Sequence, residues 1–121
     1  MLQRIFKKCF PTLRWTSFTA ARTGWTDVGT PTVTARYCQI GGAVFFQVKV
    51  VPGTTVATTA GTSYISLPVA AAGLSGHASM GDATTLISVG QCVFDVANSR
   101  CYVPSQVATA DILTIAGFYE A

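Results

Sequence analysis

The sequence predicts an all-β protein: an antiparallel β-sandwich of jelly-roll character, preceded by a short basic N-terminal segment that is extended or helical. Three observations predict it. Apolar and polar residues alternate through GGAVFFQVKVVPG, short runs rich in Thr, Val, Ile, Phe and Tyr recur after it, and Gly, Pro and Asn punctuate the gaps. Half of the 121 residues are apolar and only 11% are charged. That supplies one core and argues against a disordered chain.

The elements follow in order. In residues 1–14, Leu2, Ile5, Phe6, Cys9 and Leu13 fall near one face at helical spacing, with Gln3, Arg4, Lys7 and Lys8 on the other. Pro11 ends such a helix near Phe10. A helix of about nine residues is marginal alone in water, so it needs a partner surface. Residues 15–30 read as an irregular bridge rich in Thr and Gly. From Pro31 the period is two. Val44, Phe46, Val48 and Val50 face one way, Phe45, Gln47 and Lys49 the other, and the pairs Gly41-Gly42 and Pro52-Gly53 close both ends. Further strands are expected at 63–67, 86–89, 92–96, 101–103 and 112–119. Turns are expected at Thr54-Thr55, Ala60-Gly61, 73–76, Gly81-Asp82 and 97–99. The organisation is then a basic anchor and linker, 1–23, followed by a β-sandwich, 24–121.

Charge divides the same way. Arg4, Lys7, Lys8, Arg14 and Arg22 stand in residues 1–25 with no acid among them. Beyond them Arg36, Lys49 and Arg100 are outnumbered by Asp27, Asp82, Asp95, Asp111 and Glu120. The basic character belongs to the leader, and a net acidic sandwich disfavours nucleic acid. The longest apolar runs have four residues. A spanning helix needs about 20, so no membrane insertion is expected, and no apolar stretch near Met1 reads as a secretory signal.

No constellation for covalent chemistry emerges. Among Cys9, Cys38, Cys92 and Cys101 no pair has zinc-knuckle spacing. Cys92 and Cys101 bracket a hairpin through DVANSR, as a disulfide or as reduced, buried thiols. Without an export signal the reduced form is expected. His77, the one histidine, sits in GLSGHASMGD between Ser75 and Asp82. That context lacks the strained elbow or oxyanion hole a serine nucleophile needs, so His77 reads as a solvated loop residue. The carboxylates are scattered and no phosphate-binding glycine motif is present. The expectation is a protein that is not an enzyme and holds no cofactor and no metal.

Binding is the remaining class. The leader suits a membrane-surface helix, a phosphate contact, docking onto a larger partner or simply a solvated start of the chain with no partner, and docking through Leu2, Ile5 and Phe6 is the reading preferred. The aromatic residues Trp15, Trp25, Tyr37, Tyr64 and Tyr102 fill cores and subunit interfaces more often than sugar sites. Tyr64, Tyr102 and the neighbourhood of His77 are nonetheless the candidate glycan contacts. The run 112–119 is apolar on both faces, with Leu113 and Ile115 on one, Ile112, Ala116 and Phe118 on the other. A strand apolar on both faces is buried on both, which marks Ile112, Ile115 and Phe118 as a candidate oligomer interface.

Several stretches form an ordered set: Gly24-Trp25-Thr26; Tyr37 with Gln39-Ile40-Gly41; Val44-Phe45-Phe46; Gly53-Thr54-Thr55; Gly61-Thr62-Ser63-Tyr64-Ile65-Ser66-Leu67-Pro68; and a closing Ile115-Ala116-Gly117-Phe118-Tyr119-Glu120. Over residues 24–121 this set resembles the terminal β-sandwich domain of tailed-phage fibres and other virion appendages, in which the last strand also ends in Gly, a hydrophobe, Tyr and Glu. The resemblance implies a virion structural protein, often a homotrimer, involved in host attachment or capsid decoration. Its partners would be other virion proteins of capsid or tail and a host-surface glycan, after assembly in the host cytoplasm. Relatives carry this domain after a long shaft. Here about 24 residues precede it, so a short fibre, spike or decoration protein is expected, with Leu2, Ile5, Phe6, Lys7, Lys8 and Phe10 as the virion anchor.

Overall fold

The computed structural model describes residues 14–72 and 76–121. The anchor residues Leu2, Ile5, Phe6, Lys7, Lys8 and Phe10, and Ser75 of the loop, lie outside the described residues. The described chain is all-β and its sheets are all antiparallel, packed as a β-sandwich. The larger sheet has six strands, in the spatial order β1 (Thr16–Ser17), β4 (Thr32–Ile40), β5 (Ala43–Val51), β13 (Leu113–Glu120), β8 (His77–Asp82) and β9 (Ile87–Gln91). Opposite it stand β10 (Val93–Asp95), β11 (Arg100–Tyr102), β7 (Tyr64–Ser66) and β2 (Arg22–Thr23). A third sheet orders β12 (Gln106–Thr109), β6 (Thr55–Thr58) and β3 (Thr26–Val28).

The alternation in β5 positions everything else. Val44, Phe46, Val48 and Val50 are each at most 2% exposed, while Phe45, Gln47 and Lys49 face outward. Burying each such apolar side chain is favourable by roughly 1.5–3 kcal/mol. A slip by one residue would put Gln47 and Lys49 inside instead, so the register is strongly fixed. The two-residue turn Gly41-Gly42 joins β4 to β5 with Ile40 opposite Ala43. Gly41 there has φ +59°, which glycine adopts without a Cβ penalty. On the other flank β13 pairs with β5 over its full length and with β8. Its Leu113, Ile115 and Tyr119 enter the core beside Met80, against Ile65, Cys101 and Val103. Phe46 meets Phe94 of the opposing sheet edge-on at 6.1 Å.

Strands stand where 63–67, 86–89, 92–96, 101–103 and 112–119 were expected, each shifted by a residue or two. Other expectations need correction. Residues 15–30 are more regular than the bridge expected: β1 pairs with β4, β2 with β7 and β3 with β6, and Ala20 is buried. The Thr54-Thr55 turn is tighter than expected, since Thr55 already opens β6. His77 does not sit in a loop. It opens β8, whose Gly and Ser residues are held on both sides by β13 and β9, so tertiary pairing overrides their weak strand preference. The 97–99 turn is a 3₁₀ turn, Val96–Asn98, capped by the Asp95 carboxylate on the Asn98 amide.

Candidate functional site

Two outward sheet faces carry the candidate residues. On the larger sheet, register sets Cys38, Phe45, Phe118 and His77 side by side across β4, β5, β13 and β8. The Phe45 and Phe118 rings lie 5.9 Å apart and are 37% and 47% exposed. The His77 ring is 6.3 Å from Phe118. Trp15, at the head of β1, and Ile40, at the end of β4, extend this row into an open apolar cleft of about 540 Å³. Cys38 forms its floor, only 5% exposed.

The adjoining row is polar. The Arg36 guanidinium stacks on Trp15 at 4.7 Å, and its Nε donates to Gln47 Oε1 at 2.9 Å. Opposite Gln47 comes Ala116, then Ser79, and one row further Lys49 faces Thr114. The outer face therefore passes from an aromatic end to a basic middle. Trp15, Ile40, Phe45 and Phe118 are thus contiguous apolar side chains left partly exposed on one face.

The three residues expected at an oligomer interface are separated by the fold. Phe118 is on this open face. Ile115 points the other way, 1% exposed within the domain's own core, so it is not available to a second copy. Ile112 precedes β13; its carbonyl accepts from the Ala83 amide at 2.8 Å and its amide donates to Thr84 Oγ1 at 3.0 Å, closing the turn after β8. Trp15, Ile40 and Phe45 take their place on the face. Alternation against buried Val44 already points Phe45 outward, whereas Trp15 gives no periodic signal.

The second face belongs to the four-stranded sheet. Tyr64 and Tyr102 are cross-strand partners with ring centres 5.1 Å apart. The Arg100 guanidinium lies over the Tyr64 ring at 4.4 Å. Trp25 Nε1 donates to the Tyr64 carbonyl at 3.1 Å. Arg22 stacks on Trp25 at 5.1 Å while holding both Asp27 oxygens at 2.9 and 3.0 Å. Of the candidate glycan contacts, Tyr64 and Tyr102 are brought together. His77 is not, standing beside Phe118 on the other sheet.

No triad forms around His77 among the described residues. His77 and Asp82 lie at opposite ends of β8 and on opposite faces, one exposed and one buried. Asp82 instead accepts from the Thr84 and Thr85 amides at 2.9 and 3.0 Å. The Thr85 hydrogen bond first, helped by Asp111, holds its carboxyl below the ordinary value. Asp111 is the reverse: its hydrogen bond to Asp82 pushes its carboxyl up. The pair is a turn clasp. Cys92 and Cys101 are free thiols joined by a hydrogen bond, which raises Cys101 far above the usual thiol range and lowers Cys92. Among the described residues no three His, Cys, Asp or Glu converge as metal ligands, and no helix is long and apolar enough to cross a membrane. No family model, no curated protein and no solved structure matches this chain.

Proposed function

We propose that this chain is a non-enzymatic structural subunit of a tailed-phage virion, a short fibre, spike or capsid decoration protein, that self-associates through the outer face of its larger sheet. The observation that carries the reading is the exposed row of Trp15, Ile40, Phe45 and Phe118 around buried Cys38. An isolated sandwich keeps its outer faces polar, and an apolar row of this extent gains by meeting its like in a closed, symmetric assembly such as a trimer. The resemblance to virion appendage domains supplies the setting; its Gly61–Pro68 stretch spans β7, and its Ile115–Glu120 stretch falls within β13. The basic leader, with Leu2, Ile5, Phe6, Lys7, Lys8 and Phe10, is the anchor to other virion proteins.

Multi-angle light scattering at micromolar concentration tests the reading, and a multiple of the 12.7 kDa chain is expected. A stable monomer would refute self-association, and a purified particle without density for this chain would refute the virion setting. A second reading, a soluble carbohydrate-binding module, is favoured by one observation: the paired rings of Tyr64 and Tyr102 beneath Arg100.

A further inference from the structure

We propose that the outer face of the four-stranded sheet binds a carboxylate-bearing sugar, with Arg100 taking the carboxylate and Tyr64 and Tyr102 taking the sugar rings. The proposal rests on the second reading above, that this face takes a saccharide, and adds the chemical class.

Three features converge here. First, Arg100 makes no ion pair and no hydrogen bond through its guanidinium among the described residues; the Tyr64 ring lies beneath it at 4.4 Å. Asp95, opposite Arg100 on the neighbouring strand, has its oxygens turned to the Asn98 amide and side chain at 3.3 and 2.9 Å. A guanidinium held over an aromatic face by its carbon still has edge N–H groups to offer a ligand. Those edges match the two oxygens of a carboxylate, and little side-chain entropy remains to be lost. Arg22 shows the contrast, since it also stacks on an aromatic ring but already holds both oxygens of Asp27.

Second, Tyr64 and Tyr102 are half-buried, and their phenol oxygens make no hydrogen bond among the described residues. Rings of this kind offer a C–H-stacking surface to a pyranose and hydroxyls to its rim. Third, beyond Tyr102 opens a cleft of about 420 Å³ walled by Val93, Val103, Pro104 and the exposed Gln91. It is roomy enough for one sugar unit. Guanidinium, ring pair and cleft follow one another across the face, so an oligosaccharide can lie in the cleft and present the next unit's carboxylate to Arg100.

Isothermal titration of the full chain tests this with two acidic probes, trigalacturonate and a sialic acid trimer, and with the methyl ester of trigalacturonate. At least one acid is expected to bind, weakening as salt is raised. The ester should bind at least about tenfold more weakly, having lost the charge-assisted pair. Arg100→Gln should bring the acid down to the level of the ester, and Tyr102→Ala should weaken both; circular dichroism confirms that each variant is folded. Equal binding of acid and ester, or full affinity in Arg100→Gln, overturns the proposal and leaves the saccharide reading standing. Failure of all three probes overturns both.

Discussion

The Tyr119 phenol clasps Val69 at both its backbone groups, donating to the carbonyl at 2.6 Å and accepting from the amide at 3.0 Å. The ring is 2% exposed, wedged between Phe46 and Phe94 with centroids 5.9 Å away on each side. One side chain of the last strand thus ties an irregular segment onto the core.

Tyr119→Phe should lower stability by about 1–3 kcal/mol, because the ring still packs while the Val69 amide and carbonyl lose their partner. A urea denaturation midpoint equal to the parent's would show the clasp contributes nothing. Burial raises the phenol's pKa. Folding therefore favours the neutral form, and the clasp's contribution falls as pH climbs above the ordinary tyrosine range. The Phe variant should lack that decline.

Gly117→Ala should destabilise the domain by about 1–3 kcal/mol. Gly117 sits in β13 between Phe46 and Ala78, and a Cβ there would come 2.6 Å from Ala78 Cα and meet the His77 carbonyl as well. Gly42→Ala is the matched control, since its nearest neighbour would be the Ala121 carbonyl at 3.9 Å. Equal denaturation midpoints for the two variants would contradict the crowding.

Phe45→Asp with Phe118→Asp should give a folded monomer. Both rings are partly exposed already, so the fold loses about 1 kcal/mol for one ring pair, whereas an assembly would bury two new charges at its seam. Light scattering and far-ultraviolet circular dichroism read the two effects separately. Retained assembly would move the interface elsewhere.

Asp111→Asn should change the shape of the pH profile of stability. Asp111 has a raised pKa in the fold, so its contribution is present at low pH and is lost as pH rises above the ordinary carboxylate range and a second charge appears beside Asp82. Asp82 has a lowered pKa, so its contribution is lost as pH falls through that lowered value. The parent should be most stable between these limits. The Asn variant, which keeps a donor and cannot ionise, should lose only the upper decline. Thermal melts from about pH 3 to about pH 8 measure it, and parallel profiles would count against a shared proton.

Ile5→Asp with Phe6→Asp should abolish incorporation into particles while leaving the sandwich folded. Quantifying the chain in purified particles measures this, and normal incorporation would remove the leader's role.

Much of the fold was legible because period two survives wherever one strand face is buried. Val44, Phe46, Val48 and Val50 announce β5, and the doubly apolar run ending in Phe118 and Tyr119 announces β13 with its unfilled outer side. What stayed hidden depends on neighbours. HASMGD has the composition of a loop and becomes β8 because β13 and β9 supply partners on both edges. Thr16–Ser17 and Arg22–Thr23 are too short to show a period and are strands by pairing alone. The tyrosine pair was within reach as residue types, but its cross-strand register and the stacked Arg100 belong to the fold. His77 looked close to them in composition and lies on another sheet.

The strand order also dictates when the molecule can come together. β13 follows both β5 and β8 in the sequence, yet it lies between them. While the polypeptide is still leaving the ribosome, those two strands have an empty slot between them and hydrogen-bonding edges open to strangers. Closure waits for the eight residues of β13 to arrive. Closure therefore depends on pairings distant in sequence, which form slowly. Nascent chains stalled before Leu113 should be the species that chaperones hold and that clump when none are at hand.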